Sequence, residues 1–160
     1  MRCILRGGGS SLTEGKLHVE PLITVETDLF EHREVKPHFI NPGCFGEDFA
    51  AWLKERLSVL LPSEVTVSPA MQEDYGWGFC LHHGKDSFWV AVSYVGNGPA
   101  ESPPQWVISL LYDPGIHLVK RIFHKRDRAT EAHLREVIRQ AVRSNPAIKI
   151  VPNPIHNPGK

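Results

Sequence analysis

Histidine and cysteine are the residues with which this chain could do metal or nucleophilic chemistry. The sequence contains nine histidines and three cysteines, and imidazole and thiolate groups act as ligands, bases or nucleophiles near neutral pH. Their spacing is unfavourable, because His82 and His83 are adjacent and point to opposite faces of a strand, and no HExxH or CxxC pair occurs. We therefore predict no metal site, with Cys80 and His82 as the candidates if one existed.

Signatures of other catalytic classes are missing as well. There is no Gly-x-Ser-x-Gly elbow, and Gly7-Gly8-Gly9 is followed by Ser10-Ser11-Leu12 rather than by the lysine and helix of a phosphate loop. Glu73 and Asp74 are neighbours in sequence, which does not make their carboxylates converge on one substrate atom. The sequence predicts no catalytic residue and no cofactor, and an enzyme that uses Cys80 or His82 is the remaining alternative.

The C-terminal third is basic and could bind anions. Residues 1–113 contain 8 Lys/Arg and 15 Asp/Glu, a net charge of −7, whereas residues 114–160 contain 10 and 3, a net charge of +7. Such a segment can neutralise phosphates, or it can face an acidic protein surface. No helix-turn-helix, zinc-finger or RNA-platform signature accompanies it. The candidate anion-binding residues are Lys120, Arg121, Lys125, Arg126, Arg128, Arg135 and Arg139.

The segment 73–95 predicts a β-hairpin. Gly84-Lys85 suits a two-residue type II′ turn, and side chains then alternate between two faces on both strands. The face that carries the large apolar side chains pairs Leu81 with Phe88, Phe79 with Val90, Trp77 with Val92 and Tyr75 with Tyr94. The opposite face is sparse and pairs Gly76, Gly78, Cys80 and His82 with Ser93, Ala91, Trp89 and Ser87.

Two interpretations of the sparse face remain open. Glycines weaken a strand unless something packs closely against them, and the Trp89 ring lying across the bare backbone would supply that packing. Alternatively, the face is a shallow groove for a partner or ligand. The residues of that groove would be Gly76, Gly78, Cys80, His82 and Trp89.

The rest of the sequence predicts two helices and further strands around this hairpin. Apolar spacing predicts one helix that begins near Glu47 and ends at Pro62, and a second around Leu134–Val142 that stops at Asn145-Pro146. Extended segments are predicted at 22–27, 35–40, 64–67, 105–113, 117–124 and 147–151. The expected fold is α+β, an antiparallel β-meander of about four to five strands covered on one face by two amphipathic helices.

Length and composition favour a single domain. The 160 residues, 41% of them hydrophobic, predict a flexible extension at 1–16, one α+β domain at 17–151 and a tail at 152–160. Three cysteines without paired spacing argue against a disulfide framework and favour the cytoplasm. No apolar run approaches the roughly 20 residues that cross a bilayer, so no membrane contact is expected.

Two segments, His38–Phe49 (HFINPGCFGEDF) and Glu73–Phe79 (EDYGWGF), resemble segments of small uncharacterised bacterial proteins with no established activity. The resemblance covers about residues 35–151, near the domain limits given above. It implies a bacterial cytosolic accessory protein and carries over no catalytic residue. The leading hypothesis is a non-enzymatic protein-interaction module, similar in role to an immunity protein or a small chaperone. The alternative is binding of nucleic acid or another polyanion through the basic C-terminal third.

Overall fold

The computed structural model describes residues 22–97, 102–113 and 127–152. Within these ranges the chain forms seven strands and two helices. In chain order they are β1 (Ile23–Glu26), α1 (Glu47–Leu60), β2 (Val65–Val67), β3 (Met71–Glu73), β4 (Gly76–His83), β5 (Asp86–Asn97), β6 (Pro104–Asp113), α2 (Arg128–Arg143) and β7 (Lys149–Val151).

The strands form one antiparallel sheet, which confirms the predicted α+β class. Their order is β2-β4-β5-β6-β1-β7, with β3 paired to the other half of β4. The sheet has seven strands, so the expected four to five was too few, and β1 lies between β6 and β7 rather than continuing a simple meander. Strands β2, β3 and β7 have three residues each, too few to show an alternating pattern. Their hydrogen-bonded pairing with β4 (for β2 and β3) or with β1 (for β7) identifies them as strands.

The predicted hairpin is confirmed in its turn and its register. Trp77 pairs with Val92, and the pairing continues through Leu81 and Phe88 to the turn, where Gly84 has φ 57°. The expected pairing of Tyr75 with Tyr94 is wrong. Glu73 of β3 pairs with Gly76, so Asp74 and Tyr75 form a second two-residue turn that takes Tyr75 out of the core.

Both helices pack on the apolar face of the sheet. Their buried residues join the inward side chains of β4, β5 and β6 in a single core, and each fully buried Leu, Ile, Val or Phe stabilises the fold by about 1.5–3 kcal/mol relative to exposure. The buried helix residues are Phe49, Ala50, Leu53 and Leu57 of α1, and Glu131, Leu134, Val137, Ile138, Ala141 and Val142 of α2.

The ends of the helices follow the sequence signals. Leu60 is the last residue of α1, before Pro62, and the N–H of Leu61 still donates to Leu57 O at 2.9 Å. Asp127 caps α2 by accepting from the N–H groups of Ala129 and Thr130, and hydrogen bonds from Thr130 lower the pKa of this carboxyl. Such a cap supplies acceptors for N–H groups that the first turn of a helix leaves unpaired.

Two of the predicted extended segments are not among the strands described above. The segment 35–40 is not a strand but part of the connection between β1 and α1, since Pro37 lacks the N–H that a ladder needs. The segment 117–124 lies outside the described residues. Neither α1 nor α2, the helices found in the described ranges, has the length and apolar composition of a membrane span.

Candidate functional site

The sparse face of the hairpin is filled by tryptophan. Trp89 pairs with Cys80 and is 2% exposed, and a methyl group built on Gly78 would lie 2.5 Å from its ring atom Cζ2. The interpretation of Trp89 as a cover for the bare glycine backbone is therefore confirmed at Gly78, whereas the space beside Gly76 is occupied by Val92 O and Ser93. Gly78 is glycine because the indole ring and the neighbouring strand occupy the space that a side chain would need.

This packing limits what the predicted groove residues can offer a partner. Cys80 and Trp89 form a small buried cluster with Ala91, against which Met71 and Leu111 pack. Gly76 and Gly78 are buried too, and His82 is the one groove candidate that is not. The groove stays a prediction, and its accessible surface would centre on His82.

Arg135 and Arg139 of α2 are each paired within their own helix. Arg135 donates to Glu131 Oε1 from Nε at 3.1 Å and from Nη2 at 2.9 Å. Arg139 Nη1 lies 3.8 Å from Glu136 Oε2. Such pairs fit a solvated helix face stabilised by residues one turn apart. Arg128, at the first residue of α2, is exposed.

The other predicted anion-binding residues, Lys120, Arg121, Lys125 and Arg126, lie outside the described residues. Polyanion binding therefore stays a prediction that rests on that segment. Across the described ranges, no three His, Cys, Asp or Glu side chains are grouped so that they could hold a metal ion.

A long ordered connection, which the sequence did not single out, is the more informative feature. Residues 27–46 join β1 to α1 through 20 residues without helix or strand. Connections longer than about 12–15 residues are uncommon in compact domains and are usually functional or disordered. We call this segment the connecting loop, and its contacts show that it is held in one conformation.

Two core tryptophans pin the connecting loop at its two ends. The indole Nε1–H of Trp106 donates to Thr27 O at 3.1 Å, and that of Trp77 donates to Cys44 O at 3.0 Å. Buried tryptophan usually finds an acceptor for its N–H. Here the acceptors are loop carbonyls, so the core and the two ends of the loop are ordered together.

Gln72 of β3 holds the middle of the connecting loop. Its Oε1 accepts from the backbone N–H groups of Ile40 at 2.5 Å and Asn41 at 3.2 Å. Its Nε2 donates to Asn41 O at 2.9 Å and Cys44 O at 3.2 Å. One side chain thus bonds to four backbone groups of the loop. Two of these groups have a second partner, since Asn41 O also accepts from Cys44 N and Cys44 O also accepts from Trp77 Nε1.

Contacts to the turn after β3 complete this clamp. Asn41 Nδ2 donates to Asp74 Oδ1 at 3.0 Å, and the Cys44 thiol donates to Asp74 O at 3.1 Å. Burial raises the pKa of the Cys44 thiol, and the charge of Asp74 raises it further. The thiol therefore stays protonated at neutral pH, which favours a structural role over a nucleophilic one.

Aromatic side chains of the connecting loop pack against the core. Phe39 lies 5.4 Å from Trp77 and Phe45 lies 5.7 Å from Tyr94, measured between ring centroids. Phe30 stacks on Phe49 of α1 at 4.1 Å. Aromatic pairs in such geometries contribute about 0.5–1.5 kcal/mol beyond the area they bury.

Ion pairs join the connecting loop to the first residue of α1. Lys36 Nζ and His38 Nε2 lie 2.5 Å and 2.7 Å from the two carboxylate oxygens of Glu47. Burial alone would raise the pKa of Glu47, but its hydrogen bonds to Lys36 and His38 outweigh that effect and lower it. A carboxylate at a helix N-terminus also interacts favourably with the positive end of the helix dipole.

The outer surface of the connecting loop is apolar in places. Of the seven large apolar residues that are exposed in the described ranges, four belong to this loop or to the adjoining turn: Leu29, Val35, Ile40 and Tyr75. Ile40 is the most exposed of the seven at 79%, and Tyr75 is 43% exposed. We define the loop face as Ile40 and Tyr75 together with Asn41, Cys44 and Asp74, whose hydrogen bonds join the loop to the turn.

Removal of the Gln72 clamp should loosen the connecting loop without unfolding the sheet. We expect Gln72→Ala to lower the free energy of unfolding by about 2 kcal/mol, because the backbone N–H groups of Ile40 and Asn41 lose their acceptor and the loop loses four hydrogen bonds in all. Amide hydrogen exchange should accelerate at Ile40 and Asn41 but not at Phe79 in β4. Gln72→Glu is the matched control, since it keeps the acceptor oxygen and loses the donors, and it should preserve part of the protection. Unchanged exchange in Gln72→Ala would show that the loop is held by other contacts.

Comparison with known proteins gave no match: no family model, no curated protein and no solved structure is significantly similar to this chain.

Proposed function

We propose that this chain is a non-enzymatic module that binds another protein through the loop face, similar in role to an immunity protein or a small chaperone. The observation that carries the proposal is the preorganised exposure of Ile40 and Tyr75. Loops that a rigid scaffold holds in place often carry binding residues, and an exposed apolar side chain on such a loop gains free energy when a partner removes it from water. The proposal takes the protein to be bacterial and cytoplasmic, in line with the resemblance.

Preorganisation is what separates this loop from an ordinary surface loop. Binding normally costs about 0.5–1.5 kcal/mol for each side chain that must be immobilised, and more for a loop that must be ordered. The hydrogen bonds that the loop backbone makes with the side chains of Trp77, Trp106 and Gln72 have already ordered it. A partner that binds at Ile40 therefore contacts a loop that folding has already ordered, so binding loses little further conformational entropy.

Two substitutions of exposed apolar residues, Ile40→Ser and Val59→Ser, test the proposal. Affinity capture from cells that express the protein, followed by titration of the purified partner, should give a stoichiometric complex. We expect Ile40→Ser to raise Kd about tenfold or more, as for an apolar residue near the centre of an interface. Val59→Ser is the control, because Val59 is 77% exposed on α1, outside the loop face, and its Kd should match that of the wild type.

Two results would contradict the proposal. The first is repeated recovery of the protein alone, without a stoichiometric partner. The second is a partner whose affinity falls equally for Ile40→Ser and Val59→Ser, which would place the contact elsewhere. Melting curves of both variants should match that of the wild type, because neither side chain is buried.

A further inference from the structure

The face of the sheet opposite the helices is buried, although no helix of the described ranges lies on it. Both helices pack on the other face. The sparse face of the hairpin continues here onto β6 and β1, where Ser109 pairs with Ala91 and Thr24 pairs with Val107. We call this whole surface the outer face. Its residues that are at most 7% exposed come from four strands: Thr24, Cys80, Trp89, Ala91 and Ser109.

This burial requires a further layer of chain above the outer face. Among the described residues, Met71 and Leu111 pack against the cluster around Trp89, and both belong to the same sheet. Strands lie beside one another, so they shield the side chains that stand on the sheet from the side but not from above. Thr24 Oγ1 is also buried here without a hydrogen-bond partner in the described ranges, although buried polar groups are usually paired.

A disulfide indicates which segment forms that layer. Cys80 is disulfide-bonded, so the expectation from the cysteine spacing is wrong for this residue, whereas Cys44 is free. The chain has three cysteines, which leaves Cys3 as the partner within one chain. Cys3 lies outside the described residues.

The N-terminal segment is long enough to bring Cys3 to Cys80. Two strands, β6 and β5, separate β1 from β4, a distance of about 14 Å at the usual strand spacing. The 18 residues between Cys3 and Leu22 can span about 60 Å when extended. The segment also supplies apolar side chains for a cover: Ile4, Leu5, Leu12, Leu17 and Val19.

We propose that a disulfide between Cys80 and Cys3 tethers residues 1–21 over the outer face, and that reduction of this disulfide uncovers the face. The tethered segment takes the place of the flexible extension that the sequence predicts. Reduction would expose the predicted groove around Trp89 to a partner. The inference does not rest on the proposed function, because the aromatic side chains of the connecting loop pack on the other side of the sheet.

The bridge forms by exchange with a small disulfide such as glutathione disulfide. The thiolate of one cysteine attacks a sulfur of the donor and releases one thiol, and the second cysteine then displaces the other. Two cysteine thiols are thereby oxidised, and the donor disulfide is reduced to two thiols. In a reducing compartment such as the cytoplasm the bridge is open, and in an oxidising one it is closed.

Peptide mapping tests the bridge directly. The full chain is equilibrated with glutathione disulfide and digested with trypsin without reduction. Cleavage after lysine and arginine places Cys3 in peptide 3–6, Cys44 in peptide 34–54 and Cys80 in peptide 57–85. Mass spectrometry should find peptide 3–6 joined to peptide 57–85, and dithiothreitol should separate them.

A soluble gadolinium chelate tests the cover, because it broadens the NMR signals of atoms close to the protein surface. In the isotopically labelled full chain, reduction with dithiothreitol should at least double the broadening at the amides of Thr24 and Ala91. The amide of Ile138 in α2, on the other face, should not change. Neither Thr24 nor Ala91 is bonded to the bridge, so their response reports the cover rather than the local chemistry of Cys80.

Two matched cysteine variants separate the bridge from other effects of reduction. Reduction should lower the melting temperature of the wild type by about 10 °C, because an open bridge no longer restricts the unfolded chain. Cys44→Ser should respond as the wild type does. Cys3→Ser should show the broadening of the reduced protein from the start, and its melting temperature should not respond to reduction.

Four results would overturn the inference: peptide 57–85 joined to peptide 34–54, peptide 57–85 joined to a second copy of itself, no joined peptides, or equal broadening at Thr24 and Ala91 before and after reduction. The second result would mean a bridge between two copies of the chain. The fourth would mean that another segment covers the outer face.

Discussion

Gly78→Ala is expected to lower the free energy of unfolding by about 3 kcal/mol or more, which is a large part of the stability of a typical domain. The added methyl group would lie 2.5 Å from Trp89 Cζ2 and would also meet the carbonyl oxygen of Val90. The indole ring could turn aside at some cost. The carbonyl cannot, because it belongs to the backbone of β5.

Urea unfolding measures this effect, with Gly43→Ala as the control. Gly43 lies in the connecting loop, and a methyl group there would meet nothing within 4 Å, so its free energy of unfolding should change by less than about 0.5 kcal/mol. A Gly78→Ala protein as stable as the wild type would show that Trp89 moves away from the strand easily. That result would revive the groove on the sparse face as a binding site.

Trp106→Ala should lower the free energy of unfolding about as much as Gly78→Ala, because it removes both a core ring and an anchor of the connecting loop. Trp106 is fully buried and packs against Phe49 and Tyr94, with ring centroids 5.6 Å and 5.2 Å away. Truncation of a buried tryptophan to alanine typically costs about 3–5 kcal/mol. We expect about 4 kcal/mol in urea unfolding, with faster hydrogen exchange at the start of the loop.

Trp106→Phe separates packing from hydrogen bonding. Phenylalanine keeps a ring but leaves Thr27 O without the indole donor, and an unpaired buried carbonyl costs about 1–3 kcal/mol. Trp77→Phe removes the indole donor at the other end of the loop, where Cys44 O keeps the hydrogen bond from Gln72. Exchange should then accelerate near Thr27 in the first variant and near Cys44 in the second. Identical exchange patterns in the two variants would refute separate anchoring of the loop ends.

The predicted functional residues and the structure agree only in part. Alternation along the strands placed Gly78, Cys80 and Trp89 on one face, and the register confirms it. Whether that face is open or filled depends on the rotamer of Trp89, which no pattern of residue types encodes. The α2 arginines were likewise recognisable as one helix face, whereas their pairing with Glu131 and Glu136 depends on the conformations of long side chains.

By itself the sequence determined the features that depend on near neighbours: the central hairpin with its register and faces, both helices with their ends, and the α+β class. Alternation, helical periodicity and turn residues act over a few positions, so they can be read along the chain. Only the tertiary structure decided the strand order and the conformation of the connecting loop. The hydrogen bond from Trp106 to Thr27 spans 79 positions and that from Ile40 to Gln72 spans 32. Such contacts exist only after the sheet has closed, so the sequence could mark the segments His38–Phe49 and Glu73–Phe79 by resemblance but could not show that they meet.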